Sequence, residues 1–149
     1  MQEAEEYLIL LRQIRRLARA LDVQSRQIDR DIGLTLPQYV VLSALGEMGE
    51  VTSRALSARA GSSPPTVVGI LDKLEAKGLI QRYRSDKDRR IVHARLTAQG
   101  RATLDAAPDP LGAQIGGGFK ALPPEERRAI LDSLNRLGAM VGPDEGSAI

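Results

Sequence analysis

Residues 61–78 have the sequence GSSPPTVVGILDKLEAKG, and this stretch contains the clearest indication of the fold. Serines precede a Pro-Pro pair, an apolar repeat follows, and Gly78 closes the stretch, which together make a nearly complete set of helix start and stop signals. The apolar residues recur at the i, i+3, i+4 and i+7 positions of one helix face: Val67, Ile70, Leu71 and Leu74. The stretch therefore predicts a short helix with one buried side.

The opposite side of this predicted helix is small and polar. At about 100° per residue it carries Pro65, Thr66, Gly69, Asp72 and Lys73. Because small residues let a helix approach a DNA groove closely, we expect this side to enter one. Val68 lies on the flank, where its methyl groups could contact a thymine.

A second short helix is predicted just before it. Thr52 is expected to cap a helix that runs to Ala60 and turns Ala55, Leu56 and Ala60 inward. The turn of residues 61–63 then joins the two helices. Two short helices joined by a glycine-containing turn are typical of a helix-turn-helix.

A β-hairpin is predicted after the helix pair. Leu79 to Arg84 and Ile91 to Leu96 are β-prone, and the polar turn Ser85-Asp86-Lys87-Asp88-Arg89-Arg90 separates them. A hairpin tipped with arginines is a wing, and arginine suits a narrow minor groove because its guanidinium is weakly hydrated and planar. Asp88 is a poor phosphate contact, but it is a good ion-pair partner to orient a guanidinium.

Positive charge is concentrated in this region. Residues 52–101 contain 11 Lys and Arg against 4 Asp and Glu, whereas the rest of the chain is net acidic and the whole carries +2. Such a concentration is the footprint of a phosphate-binding surface. The alternative is a basic face that only keeps the chain soluble.

Composition narrows the function classes. The 149 residues form one domain, or a small domain with appended helices, and their 42% hydrophobic content with few aromatics favours packed helices. There is no Cys and a single His, His93, so we expect no metal, no cofactor and no catalytic residues. We expect His93 to be a surface residue of the wing strand. An enzyme is correspondingly disfavoured.

The N-terminus does not resemble a targeting segment. It begins MQEAEEYLILLRQIRR, which is acidic where a signal peptide is basic, and Arg12 breaks its apolar run. No run approaches the roughly 18 apolar residues of a membrane span. We therefore expect a cytoplasmic protein with no membrane partner.

Residues 1–32 are predicted to form one long helix. From Glu3 to about Asp31 an apolar stripe recurs in steps of four and three, and about 29 helical residues would extend about 40 Å. A domain of this size cannot cover such a helix by itself, so we expect a dimerisation helix. The alternative is a helix that lies wholly on its own core.

Flanking helices complete the chain. Thr35 to Gln38 form a capping-box pattern for one helix, and Thr97 is expected to cap another that runs through Leu104. Residues 107–110 and 116–118 interrupt that helix, which is then either kinked or partly replaced by a loop, and the triple glycine suggests a hinge or a close helix contact. Residues 123–126 start the last helix, and residues 143–149 form a frayed tail.

Residues 71–101, with the Pro-Thr-Val helix start before them, resemble the MarR family of winged helix-turn-helix transcription regulators. Their sequence is LDKLEAKGLIQRYRSDKDRRIVHARLTAQGR, and the match of order and spacing covers roughly Gly33 to Arg101. The Asp-Arg-Arg wing followed by Leu96-Thr97-x-x-Gly100 is its most specific part. The resemblance implies a mainly α fold with a small β-hairpin wing, with a winged helix-turn-helix in residues 33–101 and dimerisation helices in 1–32 and 102–142.

The resemblance also implies roles for individual residues. Arg89 looks like the wing arginine of the minor groove, Asp88 holds the wing's geometry, and Arg90 lies near the phosphates. Many relatives carry a polar or basic residue at the positions of Val68 and Gly69, so affinity here would depend more on phosphates and DNA shape. The predicted DNA-binding residues are Ser62, Ser63, Pro65, Thr66, Val68, Gly69, Lys73, Arg84, Lys87, Asp88, Arg89 and Arg90.

The expected function is that of a homodimeric repressor that binds double-stranded DNA at a pseudo-palindromic site. The resemblance adds a small lipophilic or phenolic effector, bound between the dimer helices and the DNA-binding lobe, that releases the protein from DNA. Tyr39 is the favoured ligand-binding residue, although such tyrosines also pack at core edges. The alternative is a winged-helix module that binds a ligand or a protein and has no specific DNA binding.

Overall fold

The computed structural model describes residues 1–142, so the predicted tail of residues 143–149 lies outside it. Helices dominate, and three short strands form one small sheet. The helices are α1 (Gln2–Ile32), α2 (Leu36–Met48), α3 (Ser53–Ala60), α4 (Pro64–Ala76), α5 (Ala98–Ala106), α6 (Gly112–Ala121) and α7 (Pro124–Val141). The strands are β1 (Val51–Thr52), β2 (Ile80–Arg84) and β3 (Val92–Leu96). The predicted fold class, mainly α with a β-hairpin wing, is confirmed.

Local capping sets the helix boundaries. The Thr35 hydroxyl accepts a hydrogen bond from the Gln38 N–H at 3.3 Å, and the Gln38 side chain accepts one from the Thr35 N–H at 3.1 Å, which completes the predicted capping box. Thr52 and Thr97 cap α3 and α5 with one hydrogen bond each. The Thr52 hydroxyl accepts from the Ala55 N–H, and the Thr97 hydroxyl accepts from the Gly100 N–H. These interactions involve neighbours in sequence, so the boundaries were predictable.

The sheet is antiparallel, with strand order β1-β3-β2. β2 and β3 form the hairpin, in which Tyr83 lies opposite His93 and Arg82 lies opposite Ala94. β1 extends the sheet on the far side of β3, where Thr52 also lies opposite His93. The hairpin is therefore anchored to the residues that start α3.

One hydrophobic core lies among α2, α3, α4 and the sheet. Ile28, near the end of α1, and Leu34, two residues beyond that end, are fully buried in it, so the end of α1 belongs to the same core. The other members that are almost fully buried are Val41, Leu42, Leu45, Leu56, Val67, Leu71, Leu74, Leu79, Ile80 and Ala94. The remainder of α1 contributes no other buried residue, and α7 contributes none at all within residues 1–142.

Two predictions about local packing were wrong. Ala55 is exposed, and Ser57 is buried in its place because its hydroxyl donates a 2.5 Å hydrogen bond to the Ser62 carbonyl. The triple glycine does not interrupt a helix, since α6 runs through residues 116–118. The real interruption is the loop of residues 107–111, which resolves the predicted choice in favour of a loop.

Gly116 lets the loop of residues 107–111 pack closely against α6. A Cβ at this position would overlap the Asp109 carboxylate, so the loop packs directly on the α6 backbone. At Gly117 and Gly118 a Cβ would meet no other atom within 4 Å. Only one of the three glycines is therefore required by a close contact.

Candidate nucleic-acid interface

The turn before α4 is held by its serines. The Ser63 hydroxyl accepts a hydrogen bond from the Thr66 N–H at 3.4 Å and lies 2.8 Å from the Thr66 hydroxyl. The Ser62 carbonyl is bound by Ser57 as described above. These contacts fix the start of α4, and they also occupy part of the hydrogen-bonding capacity of Ser63 and Thr66.

The outer side of α4 is open. Pro65, Gly69 and Lys73 are exposed, Val68 is 44% exposed, and a Cβ at Gly69 would meet no atom within 4 Å. Thr66 is half-buried at the edge of this side. A helix with such a small, accessible side can approach a groove of DNA closely.

An arginine joins the wing to α4. Arg82 of β2 places its Nη2 atom 2.5 Å from the Asp72 Oδ1 atom and 3.0 Å from the Glu75 Oε1 atom. Its backbone N–H also donates to the Glu75 Oε2 atom at 3.0 Å. The hairpin is thus held to α4 by side-chain and main-chain contacts.

The wing turn has a defined hydrogen-bond network. The Ser85 hydroxyl accepts from the N–H groups of Lys87 and Asp88, at 3.2 and 3.3 Å. Asp88 in turn accepts from the backbone N–H of Arg90 and from its Nε and Nη2 atoms, each at 3.1 Å. The predicted ion pair of Asp88 therefore forms, with Arg90 as its partner.

The electrostatics of the turn follow from this pair. Hydrogen bonds from the Arg90 side chain, and then from its backbone, hold the pKa of Asp88 below its ordinary value. The same side-chain bond raises the pKa of Arg90. Asp88 consequently offsets the charge of Arg90 at neutral pH.

Arg89 is held differently from Arg90. Its carbonyl accepts a 2.8 Å hydrogen bond from the Arg84 Nη1 atom, whereas its guanidinium makes no hydrogen bond or ion pair to any residue from 1 to 142. Lys87 likewise has an exposed side chain with no acidic partner in that range. The wing thus presents an unpaired guanidinium and an unpaired ammonium.

The structure brings most of the predicted DNA-binding residues to two adjacent surfaces, the outer side of α4 and the wing turn. Tyr39 lies elsewhere, in a cleft of about 210 Å³ between α2 and α5 that is also lined by Ser43, Arg101 and Leu104. The sequence reasoning missed Arg82, because nothing local indicates which carboxylates a strand residue will meet.

His93 is less exposed than predicted. It is half-buried, and its ring stacks on Tyr83 with 5.4 Å between ring centroids. The Nδ1 atom is buried and has no hydrogen-bond partner among the described residues. The reason is its central position in the sheet, between β1 and β2.

Residues 1–142 contain neither a candidate metal site nor a candidate membrane-spanning helix. Those residues contain no group of three or more side chains able to hold a metal ion. None of their helices combines the length and the apolar character needed to cross a membrane.

Sequence comparisons agree with this geometry. The model of the MarR family matches residues 34–92. A transcriptional repressor of Mycobacterium tuberculosis is 32% identical over 108 residues, which cover 72% of this chain and 78% of that repressor. Against two other curated regulators the chain spans 66% and 51% of their lengths.

Solved structures extend the similarity to the whole described fold. A MarR family transcriptional regulator from Streptomyces coelicolor, in complex with DNA, has a TM-score of 0.77 at 25% identity, covering 98% of this chain and 94% of that one. BpsR of Bordetella bronchiseptica, whose DNA binding is regulated by 6-hydroxynicotinic acid, has a TM-score of 0.65 at 30% identity, covering 87% and 98%. The chain therefore belongs to the MarR family, whose members are transcription regulators and not enzymes.

Proposed function

We propose that this protein is a homodimeric, sequence-specific DNA-binding regulator that represses transcription until a small molecule releases it. The observation that supports DNA binding best is the pairing of an open, small-residue side of α4 with a wing whose Arg89 guanidinium is unpaired. Residues 33–101 would bind DNA. The α4 side would lie in the major groove and Arg89 in the adjacent minor groove.

Dimerisation is supported by the apolar surface that the chain leaves uncovered. None of the 18 residues of α7 is buried, and only Ile28 is buried in α1. Between these helices lies an apolar groove of about 600 Å³, whose lining includes Tyr7, Ile14 and Leu134. Continuous apolar surface of this kind marks an interface. A second copy would cover it through residues 1–32 and 102–142.

The symmetry of such a dimer has a consequence for the DNA site. Two α4 helices related by a two-fold axis would read a pseudo-palindrome whose half-sites are about 10 base pairs apart. Each phosphate neutralised by Lys or Arg releases counterions, so binding should weaken steeply with salt. Val68 and Gly69 offer no hydrogen-bonding side chain, so shape and phosphate contacts would carry much of the affinity.

The effector is proposed to be a small lipophilic or phenolic acid. The cleft beside Tyr39, at about 210 Å³, is smaller than the roughly 300–1,000 Å³ of most ligand sites. A larger cleft of about 630 Å³ lies nearby, between α1 and the start of α2, and includes Leu21, Ser25 and Pro37. A ligand bound there would act by favouring a spacing of the two DNA-binding lobes that does not fit DNA.

Fluorescence anisotropy tests the proposal directly. The purified protein is titrated into its own upstream intergenic DNA and into scrambled DNA of equal length, across a salt series. We expect a salt-sensitive complex of one dimer with the intergenic DNA only. Equally weak binding to both DNAs would instead favour the module that binds a ligand or a protein without specific DNA binding.

The effector is tested in the same assay. Small aromatic acids are added to the preformed complex, beginning with 6-hydroxynicotinic acid because it regulates BpsR. We expect at least one to dissociate the complex. Tyr39→Phe should weaken that response if the acid occupies the smaller cleft, and Ser25→Trp should weaken it if the acid occupies the larger one. Dissociation by none of them would argue against the proposed effector class.

A further inference from the structure

The two acidic residues of α4 lie on or beside the side that the proposed function turns toward DNA. Asp72 is on the outer side, and Glu75 follows one turn later on the flank shared with Val68. Carboxylates so close to a polyanion repel it, so their presence on this side of α4 needs a structural reason. Both of them contact Arg82.

The contacts of Arg82 give a structural reason for the two carboxylates. Its side chain is only 21% exposed, and it spans from the middle of β2 to α4. Glu75 accepts hydrogen bonds from both the side chain and the backbone N–H of Arg82, so it fixes the strand as well as the guanidinium. Asp72 adds a second carboxylate at 2.5 Å. A charge-assisted arrangement with several bonds restricts geometry more than a single ion pair does.

Burial opposes the charge of Arg82, but the hydrogen bonds that Arg82 donates to Glu75 and Asp72 outweigh it and raise its pKa. The side-chain bond from Arg82 correspondingly lowers the pKa of Glu75. Two carboxylates surround one guanidinium, so the cluster has no unbalanced positive charge with which to attract phosphate.

A second contact links β2, which Arg82 holds, to the wing turn. Arg84 is two residues further along β2, about 7 Å away at the rise of a strand, and its Nη1 atom donates to the Arg89 carbonyl at 2.8 Å. A continuous series of contacts thus runs from α4 through Arg82 and β2 to the residue whose guanidinium is unpaired. A shift of β2 on α4 would move Arg89.

We propose that Arg82, held by Asp72 and Glu75, is a positioning residue that sets the wing on the recognition helix and thereby sets the DNA affinity contributed by Arg89. It acts without contacting DNA. The consequence for affinity rests on the proposed function, whereas the effect on the wing does not.

The test removes the two carboxylates in an Asp72→Asn, Glu75→Gln variant. Simple electrostatics predicts tighter DNA binding, because two negative charges near phosphate disappear and Arg82 is released. Positioning predicts weaker binding, by about tenfold, within the range expected for loss of one arginine contact. A charge-matched control is Asp22→Asn, Asp29→Asn on exposed positions of α1, used once sedimentation velocity has shown that it keeps the oligomeric state of the wild type. Unchanged or tighter binding by the first variant would overturn the proposal.

A double-mutant cycle assigns the effect to Arg89. In an Arg89→Ala background the same carboxylate substitutions should change affinity less than twofold, because the contact they position is already gone. An undiminished tenfold loss there would show that the cluster acts on DNA by another route. If the double variant is poorly folded, Glu75→Gln alone serves, since Asp72 still pairs with Arg82.

A measurement on the free protein separates this inference from the proposed function. Amide hydrogen exchange of residues 85–91 should accelerate in the carboxylate variant and remain unchanged in the α1 control. Unchanged exchange in the variant would refute the positioning role even if DNA binding is established. Accelerated exchange in a protein that binds no specific DNA would refute only the proposed function.

Discussion

Arginines a few residues apart on the wing differ in what holds them. The guanidinium of Arg90 is bound by Asp88, that of Arg82 by two carboxylates of α4, and that of Arg89 by no residue between 1 and 142. An arginine that is already paired gains less from a phosphate or a groove than one that is not. The wing thus contains paired arginines and one arginine without a partner among residues 1–142, Arg89, which we propose to contact DNA.

Arg89→Ala is expected to weaken binding to the intergenic DNA by a factor of about 5 to 160, corresponding to about 1–3 kcal/mol. The slope of the logarithm of affinity against the logarithm of salt concentration should fall by about 1 if the contact is to phosphate. Anisotropy titrations measure both. Arg26→Ala removes the same charge from α1, where Arg26 pairs with Asp22, and should have little effect. Unaltered affinity of Arg89→Ala would mean that the wing assignment is wrong.

Glu75 gives a prediction for pH. Hydrogen bonds from Arg82 lower its folded pKa below the ordinary value of 4.5. Such a group stabilises the fold fully above its unfolded pKa, and this contribution is lost as pH falls through the folded pKa. The free energy of unfolding from urea titrations should therefore drop as the pH falls below the ordinary pKa of 4.5, and drop less in Glu75→Gln. Parallel pH profiles of the two proteins would contradict this.

At the scale of single helices, two kinds of glycine are found. Gly100, in the first turn of α5, is buried, and a Cβ there would overlap the carbonyl oxygen of Leu79. Gly118, inside α6, faces open space. A glycine that permits close approach stabilises the packing, whereas a glycine in an open helix interior only raises the entropy of the unfolded chain.

The two positions form a matched pair for the same substitution. Gly100→Ala should destabilise the fold by about 1–3 kcal/mol because α5 must move away from residue 79. Gly118→Ala should stabilise it by about 0.5–1 kcal/mol. Urea unfolding of both variants beside the wild type gives the comparison. A neutral Gly100→Ala would show that α5 is not packed on this carbonyl in solution.

At the scale of the whole molecule, α1 and α7 expose a continuous apolar surface. Their apolar side chains include Leu10, Ile14, Leu17, Ile130 and Leu134, all at least 38% exposed. The core itself is confined to residues 28–94 and their immediate neighbours. A single copy is thus a packed winged helix with long helices that lack a partner.

Leu134→Glu is expected to convert the proposed dimer to a monomer, because a carboxylate would be buried at the centre of the α7 stripe. Sedimentation velocity at micromolar concentration measures the change. Asn135→Glu adds the same charge about a quarter turn away and should remain dimeric. The dimer proposal fails if the wild type sediments as a monomer.

The amino-acid sequence by itself determined the starts of α2, α3 and α5, the hairpin and the ion pair of Asp88. Each depends on groups within a few residues of one another: the capping box of Thr35 and Gln38, the cap at Thr97, and the carboxylate two residues before Arg90. Local hydrogen bonds form wherever the chain places their partners, so the pattern is sufficient.

Only the tertiary structure decided the rest. Arg82 meets Asp72 and Glu75 because β2 packs beside α4, and no periodicity in either segment specifies that distance. Ser57 replaces Ala55 inside because its hydroxyl finds the Ser62 carbonyl. The triple glycine lies within α6, where Gly116 packs against the Asp109 carboxylate of the preceding loop. Contacts between distant residues are decided by packing, and packing depends on the whole chain.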